Sequence, residues 1–64
     1  MTELTKRQRE LLECAAQGMP RKAMARELGI ALPTVKTHLS TLRSKLGARS
    51  TMHALSIAYE RGLM

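Results

Sequence analysis

The chain contains no aspartate, tryptophan or phenylalanine, and it has only one tyrosine, Tyr59, and one cysteine, Cys14. A single cysteine cannot form an internal disulfide, so no disulfide framework is expected. No apolar run approaches the roughly 20 residues that a membrane-spanning helix needs. All five acids are glutamates, which we place on outward faces, and the chain has no paired acid and base and no glycine-rich phosphate loop. These absences argue against an enzyme.

Acidic residues are missing altogether from one long stretch. No Asp or Glu occurs from residue 28 to residue 59, whereas Lys36, Arg43, Lys45 and Arg49 all lie inside it. The chain of 64 residues has a net charge of +6 and a pI near 10.5. Solvated helices usually mix both signs of charge, so this stretch is typical of a surface that meets a polyanion. Charge alone leaves nucleic acid, a membrane surface and an acidic protein open as partners.

Glycines and prolines divide the chain into helices, because Gly commonly ends a helix and Pro is tolerated where one begins. The pattern predicts four helices, at about 6–17, 20–28, 32 or 33–46, and 51–61. Thr5 and Gln8 have the spacing of a capping box, and Ser50 is the predicted N-cap of the fourth helix. We predict an all-α, four-helix (tetrahelical) domain over residues 1–64. Its expected inward-facing residues are Leu11, Leu12, Cys14, Ala15, Met24, Ala25, Leu28, Val35, Leu39, Leu42, Leu46, Ala54, Leu55 and Ala58.

The second and third helices have the spacing of a helix-turn-helix. Ala25 is small where the third helix should cross, Gly29 suits the tight turn, Ile30 fills the gap beneath it, and Val35 packs back on the second helix. Such a unit leaves one face of its second helix free for a major groove. With about 100° per residue, the face opposite the apolar stripe carries Pro33, Thr37, Ser40, Thr41 and Ser44, flanked by Lys36 and Arg43. Hydroxyls and cations suit phosphate oxygens and base edges.

The sequence as a whole resembles a known family. The resemblance runs from Leu4 to Leu63 and is carried by Leu4-Thr5, Arg7, Glu10, Leu12, Gly18, Lys22, Ala25, Leu28, Thr34-Val35-Lys36, His38, Lys45-Leu46-Gly47, Ala54, Ala58 and Gly62-Leu63. These residues resemble the LuxR-type (NarL- or GerE-like) helix-turn-helix of bacterial transcription regulators. The resemblance implies a domain that binds double-stranded DNA through the third helix in the major groove and dimerises through the fourth. No cofactor, metal or small-molecule ligand is implied, and a cytoplasmic, nucleoid-associated protein is expected.

The resemblance also assigns candidate contacts by position. Lys36, Thr37 and Ser40 become the base-contacting residues, and Lys22, Thr34 and Arg43 become phosphate-contacting ones. Arg21 departs from the family pattern and adds a further phosphate contact, and Thr41 and Ser44 on the same helix face complete the set. Ala31 is another departure, because the family usually has a capping residue there. A third departure is Thr51, which stands where the family frequently has an arginine.

Several residues allow more than one interpretation. His38 is expected at the rim of the core rather than on a base, His53 on the surface, and Cys14 as a small buried hydrophobe. No ligand spacing supports a zinc site built from these three residues. Met52, Ser56 and Tyr59 are candidates for the dimer interface, although Tyr59 could equally pack on the core rim.

Two rival functions remain open from the sequence. A helix-turn-helix can serve as a module that binds another regulator, and a basic amphipathic surface can bind an anionic membrane. The interrupted apolar faces match one another as in a folded core, which counts against the membrane. Whether the chain is an excised C-terminal domain or a small regulator by itself is left open by its length.

Overall fold

Four α-helices, joined by short connections, make up the fold. The computed structural model describes residues 4–64, and residues 1–3 of the predicted domain lie outside the described residues. The helices are α1 (Lys6–Ala16), α2 (Arg21–Leu28), α3 (Leu32–Leu46) and α4 (Thr51–Glu60), with no strand between residues 4 and 64. The predicted all-α fold is therefore confirmed. Some ends differ by one residue: Gln17 and Arg61 are C-caps, and Pro20 is an N-cap with extended backbone.

The starts of α1 and α4 are closed by side chains, as the sequence predicts. The Thr5 hydroxyl accepts a hydrogen bond from the Gln8 backbone N–H at 3.1 Å, and the Thr5 N–H donates to Gln8 Oε1 at 2.9 Å. The Ser50 hydroxyl accepts from the His53 N–H at 3.0 Å. These bonds satisfy N–H groups that have no partner within the helix. Both helices thus begin at a defined residue.

The helix ends share one backbone motif, which is clearest at α2 and α3. Gly29 and Gly47 both adopt φ of 67°, a left-handed conformation that costs other residues a steric penalty. The following N–H groups then donate back into the helix, from Ile30 to the Ala25 carbonyl at 3.0 Å and from Ala48 to the Arg43 carbonyl at 2.8 Å. Ile30 and Ala48 also pack against the core. Each motif therefore ends its helix and adds an apolar contact.

The core is formed where α3 meets α1 and α4. All of the predicted stripe of α3 is buried, with Val35 and Leu42 fully inaccessible, as are Leu11 and Leu12 of α1. The helix α2 packs mainly on α3 and so lies at the edge of the core. For that reason only Met24 of α2 is buried. The predicted burial of Ala25 and Leu28 is only partly correct, because both are half-buried.

Cys14 is a buried small hydrophobe, as predicted. Burial raises the pKa of its thiol, and the carboxylates of Glu27, Glu13 and Glu10 raise it further. A raised pKa keeps the sulfur protonated at neutral pH, and the thiolate is the reactive form. Cys14 therefore contributes packing rather than chemistry.

The start of α3 offers a test of the capping rule. Ala31 occupies the N-cap with extended backbone and no side-chain hydrogen bond, and it is exposed. We expect Ala31→Ser to stabilise the domain by about 0.5–2 kcal/mol, because its hydroxyl can accept from the Thr34 N–H, which donates to the Ala31 carbonyl at 3.0 Å and has no side-chain partner. In a domain of this size that corresponds to a rise of several degrees in Tm, measurable by circular dichroism. Ser50→Ala is the matched control and should lower Tm by a similar amount. An unchanged Tm for Ala31→Ser would show that the Thr34 N–H gains nothing from a side-chain cap.

Candidate nucleic-acid interface

The unit formed by α2, residues 29–31 and α3 has the geometry of a helix-turn-helix. The turn is closed by Gly29 in its left-handed conformation, and Ile30 packs beneath it. Met24 of α2 and Val35 of α3 are buried in the same cluster, and α2 contacts α3 more than any other element. The two helices therefore form a unit whose second helix keeps one side uncovered.

The uncovered side of α3 carries the predicted contact residues. Lys36, Thr37 and Ser40 are all exposed. Of the predicted phosphate-contacting residues, only Arg43 is half-buried. The others are exposed, namely Arg21, Lys22, Thr34, Thr41 and Ser44. No acid belongs to α3, and its last turn carries Arg43 and Lys45. The structure thus leaves most of these side chains accessible to a partner.

The hydroxyl of Thr37 already has a partner inside the helix. Thr37 Oγ1 donates to the Pro33 carbonyl oxygen at 3.1 Å, one turn earlier. The hydroxyl proton is therefore used, while the oxygen lone pairs and the methyl group still face solvent. Because of this bond, Thr37 can offer a partner only a hydrogen-bond acceptor and an apolar contact.

A shallow hollow of about 450 Å³ lies further along the same helix. It is lined by Ser40, Thr41, Ser44 and Lys45, which place three hydroxyls beside an ammonium group. The Lys45 ammonium donates to Gln8 Oε1 at 3.1 Å, and that oxygen also accepts from the Thr5 N–H. The first turn of α1 thereby holds one edge of the α3 surface in place.

Gln8 is the site-associated residue that the sequence did not reveal. Its side chain is 4% exposed, and it links residues that are 37 positions apart in the chain. The capping-box spacing predicts its bond to Thr5, but no local pattern predicts the second bond to Lys45. The contact depends on how α1 packs on α3.

The starts of α2 and α3 differ from those of the other two helices. Neither Pro20 nor Ala31 supplies a side-chain cap, whereas Thr5 and Ser50 cap α1 and α4. Uncapped N-terminal N–H groups carry partial positive charge and favour anions. The first turns of α2 and α3 contain no acid, and Arg21 and Lys22 are exposed at the start of α2. At the start of α3, however, Pro33 has no N–H and the Thr34 N–H donates to the Ala31 carbonyl at 3.0 Å. The uncapped N–H groups therefore lie mainly at the start of α2, beside Arg21 and Lys22.

The histidines do not form a site with Cys14. His38 is half-buried, in agreement with the predicted rim position. His53 is exposed, as expected, and its Nδ1 accepts from the Arg49 N–H at 3.0 Å. Within residues 4–64, no three His, Cys, Asp or Glu side chains are grouped so that they could hold a metal ion.

The candidate dimer residues lie on the outer side of α4. Met52 and Tyr59 are each 61% exposed, and Ser56 between them is exposed as well. Of the two predicted positions for Tyr59, the structure places the side chain on the surface rather than in the core rim. Their exposure makes these residues available to a partner.

A tight turn that joins two packed helices, with hydroxyls and cations on the free face of the second, defines a helix-turn-helix DNA-binding domain. Residues 2–58 match the model of the family described as bacterial regulatory proteins, luxR family. The chain therefore belongs to this family of DNA-binding transcription regulators, and the predicted resemblance is confirmed. The family is not one of enzymes.

Named relatives are consistent with this assignment. The chain is 38% identical over 63 residues to the transcriptional regulatory protein YdfI of Bacillus subtilis, covering 98% of this chain and 30% of that protein. It is 39% identical over 54 residues to the nitrate/nitrite response regulator protein NarL of Escherichia coli, covering 84% and 25%. It is 50% identical over 44 residues to the transcriptional regulatory protein UhpA of Escherichia coli, covering 69% and 22%. The chain thus spans less than a third of the length of each of these relatives.

Among residues 4–64, none of the helices has the length and apolar character needed to cross a membrane.

Proposed function

We propose that residues 1–64 form one domain that binds a specific sequence of double-stranded DNA with α3 in the major groove. The observation that carries the proposal is the free face of α3, which is exposed, rich in hydroxyls and cations, and without acids. A major groove is wide enough to admit one α-helix, and its base edges present hydrogen-bond donors and acceptors. The family supports DNA as the polyanion over the alternatives that charge alone leaves open.

Base recognition rests on three residues in this proposal. Lys36 donates from a long side chain, which suits the acceptor atoms of guanine. Thr37 offers its methyl group and lone pairs, because its proton is bonded to the Pro33 carbonyl. Ser40 follows on the same face and can donate or accept. Two of the three side chains are short, so water-mediated contacts and DNA shape are expected to contribute to specificity.

Contacts to the phosphates surround these residues. Arg21 and Lys22 extend from the uncapped start of α2, Thr34 lies in the first turn of α3, and Arg43 lies in its last turn. Thr41 and Ser44 line the hollow with Lys45, where hydroxyls and an ammonium group match phosphate oxygens. Contacts on both sides of the base-contacting residues would fix the angle at which α3 enters the groove.

Two copies of the chain are proposed to bind a two-fold related site through α4. Met52, Ser56 and Tyr59 form an exposed strip that combines a flexible apolar side chain with the only tyrosine. Tyr and Met are enriched at the centres of protein interfaces. A dimer of this kind requires half-sites separated by about one helical turn of DNA.

A salt titration tests the DNA-binding proposal. We expect the logarithm of the association constant to fall with the logarithm of salt concentration, with a slope of about −3 to −4 for each bound copy. This slope follows if Arg21, Lys22, Arg43 and Lys45 displace counterions from the phosphates. Fluorescence anisotropy on selected and random duplexes, at several salt concentrations, measures both slope and preference. A steep slope with equal affinity for every duplex would contradict the sequence-specific part of the proposal.

A further inference from the structure

A groove of about 620 Å³ lies beside the α3 surface, between the starts of α2, α3 and α4. Its floor is apolar. Met24 and Leu39 there are buried, Met19 and Leu32 are half-buried, and Met52 at the edge is 61% exposed. Because much of its lining is open to solvent, the groove can cover only one side of whatever it holds.

Methionine makes this floor adaptable. Met19, Met24 and Met52 contribute three of the apolar side chains that line the groove. Methionine is unbranched and polarisable, so it adjusts to apolar side chains of different shapes, and it is frequent where proteins accept helices in grooves. Met19 and Met24 therefore pack against the core of the domain, while the exposed Met52 can adjust to a partner.

The rim of the groove is cationic. Arg21, Lys22 and Lys36 line it and are exposed, and none of the described residues in its lining is acidic. An occupant should therefore carry apolar side chains on the side that faces the floor and acidic side chains on its flanks. DNA supplies the negative charge that suits the rim but not the apolar side that suits the floor, since its phosphates cannot cover methionine and leucine side chains.

A second copy of this chain fits the groove poorly, and the dimer proposed above also uses Ser56 and Tyr59, which do not line the groove. Each copy carries a net charge of +6, so the cationic rim would meet a cationic neighbour. A drug-sized ligand usually has most of its surface buried, and an open groove does not provide that. An amphipathic helix needs only one side covered, which matches the shape.

We propose that this groove binds an acidic amphipathic helix of a partner protein, and that the bound helix competes with DNA for Lys36. The competition rests on the proposed function, because Lys36 is both a groove residue and a candidate base contact. The identity of the proposed occupant does not depend on the proposed function. Such a partner would release the regulator from DNA by covering part of the surface that DNA needs.

The first measurement uses a designed probe. A fluorescein-labelled synthetic peptide carries Leu at i, i+3, i+4 and i+7 and Glu and Ala elsewhere, and a control peptide has the same composition reordered so that the stripe is lost. We expect the amphipathic peptide to bind at least about tenfold more tightly by anisotropy. Equal binding of both peptides would show attraction by charge alone and would overturn the proposal.

Two variants of α4 locate the binding. Met52 and Tyr59 are equally exposed on the same helix, but only Met52 lines the groove. We expect Met52→Ser to weaken peptide binding by about five- to tenfold, through lost apolar contact, and Tyr59→Ser to change it by less than about twofold. Neither buries a polar group, so circular dichroism should show both folded. Equal weakening by both variants would overturn the placement in the groove.

Competition is measured with the same protein. Unlabelled duplex should displace the peptide, and a peptide that binds unchanged to DNA-saturated protein would overturn the competition.

The outcomes separate this inference from the proposed function. A protein that binds DNA and not the peptide contradicts this inference alone, whereas groove-dependent peptide binding without DNA binding contradicts the proposed function alone. Self-association in sedimentation that Met52→Ser abolishes and Tyr59→Ser leaves intact, or binding to phosphatidylglycerol vesicles with the same dependence, would assign the groove to another occupant and overturn the proposal.

Discussion

Val35→Asp is expected to unfold the domain at neutral pH. Val35 is fully inaccessible to solvent in the core stripe of α3, so the substitution places a carboxylate where no polar partner is available. Burying an unpaired charge costs more than about 4 kcal/mol. A domain of this length is stable by only about 3–10 kcal/mol, so most of the folded population should be lost. Circular dichroism measures this as a loss of helical signal and of a cooperative melt.

The neighbouring position provides the matched control. Thr34 is exposed in the first turn of α3, where an acid interacts favourably with the helix dipole. Thr34→Asp changes the charge by the same amount and should leave the domain folded. If Val35→Asp melts cooperatively within a few degrees of the unmodified chain, the placement of the apolar stripe is wrong.

The effect of Val35→Asp should also depend on pH. Burial raises the pKa of the new carboxyl in the folded state above its unfolded value of about 3.9. The folded state therefore binds the proton more tightly, and the destabilisation is largest above the folded pKa and shrinks as the pH falls towards the unfolded value. We expect the difference in Tm between this variant and the unmodified chain to be smaller at about pH 4 than at pH 7.

Lys36→Ala is the second prediction with a large effect. If the exposed ammonium of Lys36 contacts a base edge in the major groove, its removal should cost about 1–3 kcal/mol of binding free energy. The loss should be greatest on the preferred duplex and should relax the preference at one base pair. Anisotropy titrations on a set of duplexes with single substitutions measure both effects. The fold should be unaffected, because the side chain is exposed.

Lys22→Ala serves as the comparison for this measurement. It removes the same charge from the exposed start of α2, where a phosphate contact is proposed. It should weaken binding by a similar factor on every duplex and reduce the salt slope by about one. If Lys36→Ala behaves in the same uniform way, Lys36 contacts a phosphate and the proposed base contact is wrong.

Local signals in the sequence predicted most of the helix limits. The capping box of Thr5 and Gln8, the N-cap at Ser50 and the glycines at the helix ends act within a few residues. Their effect depends on neighbours in the chain, so it can be recognised without knowing the rest of the fold. The stripe from Val35 to Leu46 predicted the buried side of α3 for the same reason, because helical periodicity alone decides which residues share a face.

The burial of α2 was less predictable. The pattern assigned Ala25 and Leu28 to the core with the same weight as Met24, yet only Met24 is buried. Periodicity shows which side of a helix is apolar, whereas the degree of burial depends on how many neighbours cover that side. The helix α2 lies at the edge with α3 as its main neighbour, and nothing within the α2 sequence indicates this.

The stretch without acids, the helix-turn-helix spacing and the exposed face of α3 were all determined by the sequence, since charge and periodicity belong to the chain itself. Two features were decided only by the tertiary structure. Gln8 holds Lys45 across 37 residues, and the groove beside Lys36 is assembled from three helix starts. Both depend on distances between helices that pack side by side, and such distances are set by the complete core rather than by any one segment.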